Sequence, residues 1–193
     1  MSLVLGRGLR AVTLVFAVTL ARANGIEAQS APPRVAALKG EIKVLAAVID
    51  QTMAQTFAPP FGLLEKTKGT YLPDFGLVFS LEVNLYPART PSPFDMRPVS
   101  KVEVESAERK KLERIETVKK SVPRLLADNA SGLRDVSPEE TVAVVTHLFQ
   151  AQTEGGNLPT QLVVEVKKSD LDQYEDKKLS FEGLVAKMKT LEL

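Results

Sequence analysis

"YLPDFGLVFSLEVNLYP", residues 71–87, decides the fold, because a turn and a long alternating run meet in it. Leu77, Phe79, Leu81, Val83 and Leu85 alternate with Val78, Ser80, Glu82, Asn84 and Tyr86. Strict alternation places the first set on one face of a strand and the more polar second set on the other. Upstream, residues 63–72 carry Lys66, Lys68, Thr70 and Tyr71 and read as an antiparallel neighbour. Between the two runs, Pro73 presets φ, Asp74 bonds to nearby backbone and Gly76 tolerates positive φ. The letters Asp74-Phe75-Gly76 also occur in protein kinases, where the aspartate holds magnesium. That chemistry needs a Gly-rich loop, a strand lysine paired with a helix glutamate, and a catalytic-loop Asp and Asn. The sequence has none of these patterns. The triplet is a hairpin turn.

Upstream of the hairpin the period changes. Leu38, Ile42, Leu45, Ile49 and Met53 recur at three- and four-residue steps and stripe one face of a helix over 34–57. Pro59, Pro60 and Gly62 end it. Downstream, a Pro-rich connection (87–99) leads to Ser100 and Glu103, the spacing of a capping box. The charged helix that follows is striped by Leu112, Ile115, Val118, Val122, Leu125 and Leu126. Glu105–Arg109 and Glu116–Lys120 sit at the supporting i,i+4 spacing. Pro123 predicts a kink or a restart with Ser121 as the new cap, and Gly132 ends the helix. The charge run reads as a solvated face.

Residues 137–150, "SPEETVAVVTHLFQ", send two signals. Ser137, Pro138 and Glu140 suit a helix start, whereas 141–149 is dense in β-branched residues and reads as a strand. Residues 153–160 are loop, and "QLVVEVKK" (161–168) closes a second hairpin. Ser169 and Ser180 then cap two helices of a tail. The order αββ-αββ-α predicts an α+β domain, one antiparallel sheet of about four strands packed on helices.

The chain begins with the parts of a secretory signal peptide. Arg7 and Arg10 precede the apolar run "AVTLVFAVTLA" (11–21), and small residues follow. A bilayer span takes about 20 residues, so the run is too short for one. Cleavage fits after Ala23 or after Ser30; the second leaves "APPR" to open a flexible lead (31–36), with a single domain over 37–193. Cutting at Ser30 leaves 22 basic against 23 acidic residues, a net charge of −1. That balance does not recruit nucleic acid or anionic lipid, and no later run is long enough for a membrane span. With no cysteine there are no disulfides and no thiol chemistry. The mature chain reads as a soluble periplasmic or secreted protein held by its core alone.

His147 is the only histidine, and the sequence has no G-x-S-x-G elbow, so neither a nucleophilic triad nor a zinc site has its parts. "SDLDQYEDKK" (169–178) fails as an EF-hand: counted from Asp170, position 5 is Tyr174 and position 6 is Glu175. No metal and no cofactor is implied. The candidate binding residues are Ser80, Glu82, Asn84 and Tyr86 on the polar side of the second strand, with Tyr71 nearby. The absence of tryptophan counts against sugar stacking.

"GTYLPDFGLVFSLEVNL" (69–85) together with "VKKSDLDQYEDKKLSFEGL" (166–184) resembles exported bacterial proteins of unassigned activity. The resemblance implies a bacterial, extracytoplasmic setting and brings no site with it. The expected function is a non-enzymatic binding or interaction protein of the envelope. The alternative is a periplasmic hydrolase built on carboxylates such as Glu82, with His147 assisting.

Overall fold

The computed structural model describes residues 33–57, 62–87, 97–129, 132–151, 154 and 158–193. All of them belong to one compact unit, Ala31–Leu193. The expected signal peptide and most of the Pro-rich connection lie outside the described residues. Nine elements follow in order: α1 (Pro33–Thr56), β1 (Gly62–Leu72), β2 (Gly76–Asn84), α2 (Lys101–Asp128), β3 (Thr141–Leu148), β4 (Gln161–Lys167), α3 (Lys168–Glu175), α4 (Phe181–Lys187) and β5 (Lys189–Glu192). The chain is therefore already helical at Pro33, inside the expected lead, where a proline suits a first helical turn.

The hairpin forms as the sequence requires. Leu72 pairs with Gly76, and Phe75 N–H donates to the Leu72 carbonyl at 3.2 Å, so the loop is Pro73-Asp74-Phe75. Asp74 (φ 64°) and Gly76 (φ 128°) take positive φ. Gly76 has a second reason to be glycine: an added Cβ would stand 2.2 Å from the Thr141 carbonyl oxygen and 2.8 Å from its nitrogen. Backbone meets backbone there because β3 starts beside β2, with Thr141 N–H donating to the Phe75 carbonyl at 2.7 Å.

That contact belongs to the main departure from expectation. The sheet has five strands in the order β1-β2-β3-β4-β5, and β2 and β3 run parallel, from Gly76↔Thr141 to Val83↔Leu148. The expected four-stranded antiparallel sheet is thus a mixed one. Two hairpins joined by a tight turn would be antiparallel throughout, but the connection here is a 28-residue helix. It returns the chain to the end from which β2 began, which is the βαβ crossover that parallel neighbours need. The fifth strand falls where the sequence predicts the helical tail. Helix α4 stops at Lys187, and Lys189–Glu192 pairs antiparallel with β4. A four-residue edge strand is too short to show a period.

One side of the sheet holds the core. Leu77, Phe79, Leu81, Val83 and Leu85, with Val142, Val144 and Leu148 from β3 and Leu162, Val164 and Val166 from β4, are buried in one cluster. Helix residues Leu45, Ile49 and Met53 from α1, Ile115, Val118 and Val122 from α2, Leu171 from α3 and Leu184 from α4 complete it. All four helices therefore cover the same face.

Three local expectations change. Ser100 and Glu103 do form the capping box, but α2 continues through Pro123 without a restart, and Ser121 Oγ donates to the Val118 carbonyl rather than capping. Tertiary packing offsets the hydrogen bond a buried Pro123 cannot make. Ser180 caps α4, whereas the N-cap of α3 is Lys167, itself the last paired residue of β4, and Ser169 lies inside that helix. Finally, Glu105 and Glu116 pair with Lys101 and Lys119, at i−4 and i+3, not with Arg109 and Lys120. No helix among the described residues is long and apolar enough to cross a membrane.

Candidate functional site

The face of the sheet opposite the helices is uncovered by any described element. Register defines its side chains, because paired residues on neighbouring strands share a face. One row across the sheet is Thr70, Val78, Ala143, Glu165 and Lys189. The next is Lys68, Ser80, Val145, Val163 and Leu191, and a third is Glu65, Glu82, His147 and Gln161. The apolar members form a diagonal stripe from Leu72 on β1 through Val78, Ala143, Val145 and Val163 to Leu191 on β5. Leu72 and Leu191 are 44% and 49% exposed, large values for leucine.

The five sequence candidates divide on this geometry. Ser80, Glu82 and Asn84 are half-buried and project together from the open face. Asn84 is partly engaged, since its Oδ1 accepts from the Tyr86 N–H at 2.9 Å where the strand ends. Tyr86 does not join them. Alternation stops at Asn84, and Tyr86, 5% exposed, turns inward with its hydroxyl unpartnered among the described residues. Tyr71 is on the opposite face: it pairs with Leu77, packs against the core and donates to Glu140 Oε1 at 2.7 Å. Glu140 also accepts from the Ser137 N–H at 2.7 Å, so this tyrosine braces the entry to β3.

Glu82 and His147 are register partners on adjacent strands of the open face. Each is half-buried, and neither has a hydrogen-bond or ion-pair partner among the described residues. Glu65 stands on the other side of Glu82 in the same row. No group of three His, Cys, Asp or Glu among the described residues is placed to hold a metal ion.

Sequence reasoning missed the most unusual polar contact in the molecule. Lys111 on α2 is fully buried, and its Nζ donates to the Phe149 carbonyl at 2.8 Å and to Glu154 Oε2 at 2.5 Å. The Glu154 side chain is only 2% exposed, and its Oε1 accepts from the Ala151 N–H at 2.9 Å. The pair fastens the end of β3 to the middle of α2. The helix is rotated so that Lys111, four residues from both Ala107 and Ile115, occupies the inner stripe. Leu112, the apolar alternative, is 45% exposed. Nothing in the loop sequence around Glu154 announced a buried carboxylate.

Among the described residues the helical side carries open clefts, two of them over 400 Å³. One, of about 560 Å³, is lined by Asp128, Tyr174, Glu175, Lys177, Lys178 and Ser180 among others. Lys178 in it is held protonated above its ordinary value by the hydrogen bond to Asp176. The other, of about 430 Å³, lies between Arg134, Pro138, Lys168 and Asp172, where the buried Lys168 ammonium pairs with Asp172. Their charges are satisfied locally or mixed in sign, and among the described residues no group of three His, Cys, Asp or Glu is placed to hold a metal ion in either. Compared with protein-family models, curated proteins and solved structures, the chain matches none of them.

Proposed function

We propose that the chain is a non-enzymatic binding protein of the bacterial envelope, exported by residues 1–30, whose contact surface is the open sheet face. The observation that carries this reading is the apolar stripe Leu72–Val78–Val145–Val163–Leu191, which crosses all five strands, half-buried at its three valines and exposed at its two terminal leucines. Contiguous exposed apolar surface rimmed by polar groups marks interaction sites. The edges of the sheet are poor alternatives. β1 is irregular between Leu63 and Glu65 and again between Glu65 and Lys68, and β5 has four residues. Bulges, charges and short length are the ordinary protections of a sheet edge. Ser80, Glu82 and Asn84 then form the polar rim of the contact.

A photo-activatable residue in place of Val145 or Val163 tests the proposal in the native envelope, with the same residue at the exposed Val44 of α1 as control. Adducts from the sheet positions and none from Val44 are expected. Adducts from Val44 alone would move the contact to the helical side.

One observation favours a second reading, a carboxylate hydrolase: Glu82 and His147 stand side by side and unpaired. Neither lines either of the two clefts on the helical side, which weighs toward binding. A hydrolytic activity lost in Glu82→Gln but kept in Val163→Asp would reverse that preference.

A further inference from the structure

We propose that the open face pairs with the same face of a second copy of this chain, in a two-fold dimer whose axis runs along the apolar stripe. This rests on the reading of that face as the contact surface and adds the identity of the partner.

The first argument is the direction of the stripe. It crosses one strand for every half of a side-chain row. With strands about 4.8 Å apart and side chains repeating about every 6.7 Å, it lies about 55° from the strands and is about 23 Å long. A two-fold axis along it crosses the strands of the two copies at about 70°, within the orthogonal class of sheet packing. Orthogonally packed sheets approach most closely along a diagonal, and only long side chains reach across toward the other corners. A diagonal apolar stripe is what that geometry buries, whereas aligned packing would call for apolar side chains over the whole face.

The second argument is charge. The flank of the stripe toward the end of β2 carries Glu65, Lys68 and Glu82, and Glu65 and Lys68 are already paired at 2.9 Å. Glu82 is left over. The opposite flank carries Glu165 with Lys167, Lys187 and Lys189, which line a small depression. Lys187 is paired with Asp170 and Lys167 donates to the Glu139 carbonyl, while Lys189 has no ion-pair partner among the described residues. Rotation about the stripe exchanges the flanks. By the same register spacing, Glu82 of one copy falls at the Lys167–Lys189 corner of the other, about 7 Å and about 9 Å from those positions in projection, a gap that the long side chains span. Each dimer gains two such contacts, and an isologous interface requires that kind of self-complementarity.

The third argument is size. A face about 20 Å on each side can bury at most about 1,000 Å² counted over both copies, at the lower bound for a specific interface. Such an area suits a dimer that exchanges in the micromolar range.

The test is sedimentation equilibrium of the protein expressed from the full 193-residue sequence and purified from the envelope. The wild type is expected to move from monomer to dimer across the micromolar range. Glu82→Lys or Lys189→Glu each weakens the dimer by about tenfold, since two exposed pairs are lost at once. The combined exchange, Glu82→Lys with Lys189→Glu, restores it. Both positions are solvent-facing, and far-UV circular dichroism checks that the variants are folded. A wild type that stays monomeric through the range, or a combined exchange that fails to recover, overturns the proposal. If the wild type is monomeric while the Val145 adduct carries the mass of another protein, the binding face stands and only the self-partner falls. If open-face positions give no adduct at all, both fall.

Discussion

Replacing Lys111 with Met should be among the most damaging single changes in the core. The ammonium is fully buried, and its loss leaves the Glu154 carboxylate, 2% exposed, with one hydrogen bond, from Ala151, and no countercharge. Removing one member of a buried pair costs about 3–5 kcal/mol, a large share of the roughly 5–15 kcal/mol by which such a domain is stable. Glu154→Leu is the mirror case, leaving Lys111 with only the Phe149 carbonyl at 2.8 Å. The double replacement removes both charges. It still strands the Phe149 carbonyl and the Ala151 N–H, at about 1–3 kcal/mol for each unsatisfied group, so about 2–6 kcal/mol is expected rather than zero. The singles sum to about 6–10 kcal/mol, so mid-range values give a coupling energy of about 4 kcal/mol. Urea unfolding of the four proteins by circular dichroism measures it. Single variants costing below about 1 kcal/mol, or a double variant equal to the sum of the singles, would refute the reasoning, because the pair would then be solvated.

Gly76→Val should cost more than about 2 kcal/mol in the same assay, because positive φ and a Cβ against the Thr141 backbone act together. Thr146→Val should stabilise by about 1 kcal/mol, as its hydroxyl is buried in the core without a partner and the shape is kept; a loss would reveal a bond to that hydroxyl. Tyr71→Phe should cost about 1.5–3 kcal/mol through the lost bond to Glu140 and leave open-face cross-linking unchanged. Lys119 is held protonated above its ordinary value of 10.5, mainly by its hydrogen bond to Glu116 and then by that to Glu192. Its contribution is complete below that ordinary value and is lost as pH rises through the higher, folded-state one. The stability gap between wild type and Lys119→Met should therefore shrink in melts taken from about pH 9 to about pH 12.

The sequence by itself determined whatever depends on near neighbours in the chain. Alternation in 77–85 set the buried face of β2, three-and-four spacing set the inner stripe of α1, and Pro73 to Gly76 set the first turn. The caps at Ser100 and Ser180 were equally legible, since a cap is completed within four residues. Ser80, Glu82 and Asn84 could be grouped because a strand's period alone puts them on one side. Tyr71 and Tyr86 could not be placed. The face of Tyr71 depends on its register against Leu77, and that of Tyr86 on where pairing ends.

Only the tertiary structure decided how the two hairpins meet. A helix of 28 residues can return the chain to either end of a sheet, and the parallel pairing of β2 with β3 follows from which end it reaches. The same packing chose the rotation of α2, putting Lys111 inside and Leu112 outside although hydrophobicity argues the reverse. A lysine can be buried only if a distant carboxylate and carbonyl are brought to it. Glu154 is 43 residues away, and no local pattern records a partner at that separation. The open face has the same origin, because all four helices pack on one side and Glu82 reaches His147 only through the β2–β3 register.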